Sequence, residues 1–288
     1  MLRLFVLLFV CVSCSAASDA PDSPGVRSQR PYVTQTEVPV PDYRLLLRQA
    51  PLSVKGRSYR EPTSRAPRDA KAVGDVWIAR LKAREALLGA GLAGKRPDAP
   101  VSLIDTGLTE AEFVAWAKAN RWQIPGHIRW GFVSELKLPR VNKAAETAIR
   151  IWPASTARTG LQPQALFNGR VELRDGCFFV GVFEEPANRL AWFHTEIGLD
   201  KDRAGYLILR DRQTGQTRAR IGEKMVWGGP PSAVIDAPTR RALQAACGDH
   251  EIMVVGSPES HERFLTKYPH LRNRQPPPPP PSRLKEDR

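Results

Sequence analysis

Cysteine is scarce in this 288-residue chain: there are four, and two of them, Cys11 and Cys14, stand in the apolar segment at its start. Histidine is scarce as well, with five dispersed residues, His127, His194, His250, His261 and His270. Neither an HExxH nor a Gly-x-Ser-x-Gly arrangement occurs, which removes the sequence signatures of a zincin and of an α/β-hydrolase. His250 follows Cys247 by three residues, but a single pair is too little for zinc. No metal or cofactor is expected from this inventory.

What is present begins with "MLRLFVLLFVCVSCSAASDA". Arg3 is its only early charge before Asp19, and Leu4 to Val12 is unbroken apolar chain followed by small residues. The pattern reads as a secretory signal over residues 1–17. Ser and Ala dilute it well before the ~20 apolar residues that a membrane span needs. Two cleavage chemistries fit. Ser15-Ala16-Ala17 suits an ordinary signal peptidase, whereas "CVSC" resembles a bacterial lipobox with Cys14 as the lipidation candidate, departing from it where Cys11 replaces an aliphatic residue.

Export bears on the two remaining cysteines, Cys177 and Cys247. An even pair in an oxidising compartment is most simply a disulfide. A catalytic thiol at Cys177 would want a histidine or a helix N-terminus nearby, and "VELRDGCFFVGVF" offers Asp175 instead, which works against a thiolate.

The chain is strongly basic, with a net charge of +13. Residues 18–67 and 269–288 hold much of the proline and little apolar periodicity, including six consecutive prolines from Pro276 to Pro281. Both read as disordered arms: a Pro-rich linker, and a tail stiffened by polyproline II. Their basic charge allows weak, salt-sensitive attraction to an anionic envelope surface such as lipid, lipopolysaccharide or cell wall. Nucleic acid is not expected as a partner, since no basic-aromatic module of a known kind is present.

Between the arms, residues 68–155 read as a small mixed α/β module. Val73, Trp77, Leu81 and Leu88 share one helical face over 68–88. Thr109 and Glu112 make a capping box ahead of Phe113, Trp116 and Ala117. Strands are expected over 128–138 and 146–152. Residues 160–268 change to short β-rich runs, "GRVELR", "CFFVGVF", "LAWFH", "GYLILRD", "TRARIG", "KMVW" and "EIMVVGS", separated by turn signals. A helix from Asp236 to Ala246, stopped by Gly248, and a short one after Ser257 complete the reading. The expected fold class is α+β, a small α/β module followed by a mainly antiparallel barrel or sandwich.

Four stretches invite chemistry and each has a plainer explanation. "GAGLAGKR" imitates a phosphate loop through Gly89, Gly94 and Lys95, but Arg96 stands where a hydroxyl is needed, and a glycine-rich helix stop fits better. "DKDRAG" from Asp200, with Asp211 beyond it, imitates a calcium loop, but Ala204 replaces a ligand and a polar turn suffices. His194 with Glu196 is the best acid-base pair, read as a strand-end surface pair. Trp116, Trp122, Trp130 and Trp152 could line a sugar cleft, and core packing is the better reading; Trp227 could expose itself on a turn or close a barrel.

The segments "NGRVELRDGCFFV", "LILRDRQTGQTRARIGEKMVWGGP" and "CGDHEIMVVGS" together resemble a small β-barrel module of bacterial envelope proteins and lipoproteins, over Asn168 to Ser257. The resemblance implies an envelope location and the Cys177 to Cys247 pairing, and it carries no catalytic residue. The functional expectation is an exported binding or structural module held near a membrane or wall, in the periplasm or cell envelope. The alternative is an envelope hydrolase acting on wall or saccharide material.

Overall fold

The computed structural model describes residues 32–53, 56–93, 101–159, 166–183, 185–228, 235 and 237–272. The signal segment, Cys14, Asp236 and the proline run lie outside them. In chain order the elements are α1 (Tyr43–Arg48), β1 (Ser58–Arg60), α2 (Ala70–Ala83), β2 (Leu87–Ala93), β3 (Val101–Thr106), α3 (Glu110–Ala119), β4 (Arg129–Phe132) and α4 (Lys143–Glu146). They continue with β5 (Leu166–Arg174), β6 (Cys177–Val182), β7 (Arg189–Phe193), β8 (Ile197–Lys201), β9 (Leu207–Asp211), β10 (Thr217–Arg220), β11 (Lys224–Gly228), α5 (Ala237–Cys247), β12 (Ile252–Ser260) and α6 (His261–Lys267). The mixed α+β class holds.

The first module is a sheet in the order β1-β4-β3-β2 under α2 and α3. Helix α3 is the crossover that lets β3 and β4 run parallel. Its capping box is in place: Thr109 Oγ1 accepts from Glu112 N–H at 3.2 Å, and Glu112 accepts from Thr109 N–H at 2.8 Å. Phe113 and Ala117 are buried with Trp77, Leu81, Ile128, Trp130 and Phe132 in one core. Two expectations fail here. The glycine-rich stretch after α2 is no helix stop but strand β2, paired antiparallel with β3. And 146–152 forms no strand: its apolar residues Ala148 and Ile149 bury themselves in the other core from an irregular segment.

That other core belongs to β5, β6, β7, β12 and β11, which pair in that order and close back from β11 onto β5 as a barrel. All pairs are antiparallel except β12 with β7. The Asp175-Gly176 turn joins β5 to β6 with both residues at positive φ, +47° and +77°, the twist that a two-residue hairpin needs. Along β6, Phe178, Val180 and Val182 point into the barrel core while Cys177 and Phe179 join a third cluster outside it. Burial on both faces is why "CFFVGV" reads as a continuous apolar run rather than an alternating one. A separate sheet, β8-β9-β10, adds Ile197, Leu199, Leu207, Leu209 and Ala219 to the barrel core. Strand β8 lies where a turn alone was expected.

The arm does not stay free through Pro67. From Tyr32 to Arg48 the chain straps the barrel. Buried Gln35 donates to Leu207 O at 3.0 Å and Ile221 O at 2.8 Å, and accepts from Leu207 N–H at 3.0 Å. Buried Tyr43 donates to Glu223 at 2.9 Å. Farther along, β1 joins the first module by pairing with β4. The hidden cause is that single polar anchors, not periodic apolar runs, hold this segment. The boundary between modules also moves: the first core ends with Phe132, and Ala145, Ala148, Ile149 and Ala154 belong to the barrel core.

Candidate functional site

Cys177, the first residue of β6, and Cys247, the last of α5, are joined. Helix α5 lies over the outer face of β6 and β7, with Leu243 buried among Phe179, Leu190 and Trp192, and this seats its C-terminus against the start of β6. Gly248, at φ +94°, ends the helix, its N–H reaching Gln244 O at 2.7 Å. Cys177 is therefore half of a structural bond.

The other candidates are mostly absorbed by the fold. In the imitation calcium loop, the Asp200 carboxylate is taken by Arg210, Asp202 by Arg220 and Asp211 by Arg218. No group of three or more metal-ligating side chains occurs among the described residues. Gly89 sits in β2, while Gly94 to Arg96 lie outside the described residues. The faces of Trp122 and Trp116 are covered by Arg80 and Arg84, at 3.9 and 5.1 Å from the ring centroids. Trp130 is fully buried, Trp152 stacks on Phe193, and Trp227 is buried inside the barrel. None of them lines a cleft as an exposed platform.

His194 with Glu196 is not the surface pair expected. His194 is 2% exposed and its ring nitrogens lack a hydrogen bond of normal geometry among the described residues. Burial holds its pKa below the ordinary histidine value, against the opposing charge of Glu196. Glu196 accepts from Thr159 N–H at 2.8 Å. Around them Arg140, Arg158 and Arg212, whose pKa values burial lowers, donate to backbone carbonyls. Arg158 reaches Ser134 O at 2.7 Å and Arg212 reaches Leu138 O at 2.9 Å. The cluster is a stitched polar junction where the chain passes from one module to the other.

The arrangement that can meet a ligand lies elsewhere. Arg170 of β5 and Lys224 of β11 are register partners, and Met225 pairs with Ser260, the last residue of β12, so that His261, the first residue of α6, follows directly. Three basic residues thus gather across β5, β11 and the junction of β12 with α6. They line two adjoining clefts of about 560 and 370 Å³. Beneath them Glu223 is 2% exposed, its pKa raised by burial, and hydrogen-bonded by Tyr43; burial and then the Glu223 charge raise the Tyr43 pKa in turn.

The carboxylates of these clefts are engaged. Glu172 meets Arg174 at 3.9 Å, Glu185 meets Arg189 at 2.6 Å, and Glu37 meets Arg170 at 3.4 Å. Glu262 meets Arg272. The side chains of Lys224 and His261, by contrast, make no hydrogen bond or ion pair among the described residues. On the rim of the larger cleft stands Phe183, 63% exposed. Its backbone sits at φ +54°, a region that costs a bulky residue about 1–3 kcal/mol, and its N–H is held by Asn168 O at 2.6 Å.

No family model, curated protein or solved structure matches the chain. Sequence reasoning missed this site because Arg170, Lys224 and His261 meet only through strand register, and Phe183 reads as the last residue of an apolar strand. The one legible signal was a non-alternating aromatic at that strand's end.

Proposed function

We propose that the chain is an exported cell-envelope protein whose barrel module is a binding unit held near a membrane or wall. The observation that carries this reading is the pair of clefts crossed by a basic row in which Lys224 and His261 are uncommitted. Basic groups not consumed by the protein's own carboxylates are available to an anionic partner. The bond between Cys177 and Cys247 supports an oxidising compartment, because such bonds persist there and are rare in a reducing cytosol. A small closed barrel of five strands offers its strand ends and loops as a binding surface, although a fold alone names no ligand. Cys14 is the residue through which a lipid would anchor the chain.

The test is the protein recovered from its own cells after fractionation, weighed intact before and after reduction and alkylation. The expected result is recovery with the envelope, a mature start at Cys14 with acyl mass or near Ser18, and no free thiol. A cytosolic chain that starts at Met1 with alkylatable Cys177 and Cys247 overturns the reading.

A further inference from the structure

The larger cleft has properties that narrow its ligand. Its volume, about 560 Å³, is in the range of small-molecule sites. Among its described lining residues, the acids Glu172 and Glu185 are each met by an arginine, whereas the side chains of Lys224 and His261 are left for an acidic group from outside. Asn168, also in its lining, offers both donors and an acceptor to hydroxyl groups. Phe183 adds a large apolar surface on the rim.

Phe183 is also the residue least suited to its backbone. A glycine or asparagine adopts a left-handed conformation with less strain. The neighbouring Phe167 ring is 6.1 Å away and tilted by 42°, so most of the Phe183 ring gains nothing from internal packing. What phenylalanine contributes there is an aromatic face turned to solvent beside the unpaired Lys224 and His261 side chains. The negative face of such a ring attracts the positively polarised C–H groups of a sugar.

We propose that this cleft binds an acidic saccharide, with a sugar ring laid on Phe183 and its acid group held by Lys224 and His261. The inference deepens the envelope-binding reading and rests on it. A lipid chain fits poorly, since apart from Phe183 the lining is mainly polar or charged. The ring and the acid must be present in one ligand, because the aromatic face and these two basic side chains border the same cleft.

The experiment is calorimetric titration of the full chain with a trimer of galacturonic acid, the neutral maltotriose and adenosine monophosphate. Phe183→Asn, which suits the left-handed backbone, and Lys224→Gln are titrated alongside. The uronic trimer is expected to bind at least about ten-fold more tightly than maltotriose, a gap of one charge contact. Phe183→Asn should weaken it about ten-fold at an unchanged or raised melting temperature, and Lys224→Gln should weaken it and flatten its salt dependence. Equal binding of maltotriose, unaltered binding by Phe183→Asn, or tighter binding of the nucleotide overturns the inference. Envelope recovery without uronic-acid binding sinks this inference alone. Uronic-acid binding by a protein found in the cytosol sinks the export reading alone.

Discussion

The two modules fill their interiors by different means. In the first, bulk does it: the rings of Trp77, Phe113 and Trp130 meet at centroid separations of 4.7 to 5.4 Å over an open sheet. In the second, closure does it. Five strands return on themselves, a disulfide ties the covering helix to β6, and backbones approach so closely at Gly169 that a Cβ there would lie 2.2 Å from Gly181 O and 2.4 Å from Trp227 Cη2.

The largest test of that contrast is Trp130→Ala, expected to cost about 3–5 kcal/mol. Hydrogen exchange should show β2 to β4 losing protection while β5 and β6 keep theirs; simultaneous loss would make the modules one cooperative unit. Next, reduction of the disulfide should lower barrel stability by about 4 kcal/mol in the chain-entropy account of a crosslink. Thermal melts with and without reductant should leave the first module's transition in place. Gly169→Ala should then cost about 1–3 kcal/mol by overpacking. Gly91→Ala, in edge strand β2 with nothing within 4 Å of its new methyl, should be neutral or slightly stabilising. Equal losses at the two glycines would break the comparison.

The smallest effects come from two buried titrating groups of opposite sign. His194 has its pKa lowered, so the unfolded chain takes a proton that the folded one refuses, and stability should fall as pH drops below ~6.5. Glu223 has its pKa raised. The folded chain keeps a proton that the unfolded one loses, so stability should rise as pH falls through its folded pKa toward ~4.3. Denaturant melts between pH 4 and 7 should show His194→Gln removing the first slope and Glu223→Gln the second. Unchanged slopes would mean that neither group is buried in the folded protein.

How much was legible beforehand follows the kind of signal each residue carries. The capping box at Thr109, the Asp175-Gly176 hairpin and the pairing of Cys177 with Cys247 were readable because each rests on local chemistry or on counting. Strand β2 was not, because "LLGAGLA" is too glycine-rich to alternate and gains its place only by pairing with β3. Ala148 and Ile149 alternate well enough for a strand yet serve the barrel from an irregular segment. The strap was hidden because Gln35 and Tyr43 find their partners 172 and 180 residues away. The basic row was hidden for the same reason, since no window of sequence contains both Arg170 and His261.

The strap has a mechanical consequence. Gln35 and Tyr43 grip the second module before the chain reaches β1, so a pull applied at Tyr32 is resisted first by the strap's side-chain clamps. The first module, though it comes earlier in the sequence, lies outside that load path. A tension sensor cut from residues 160–268 alone would lack the clamps and would yield at the wrong place.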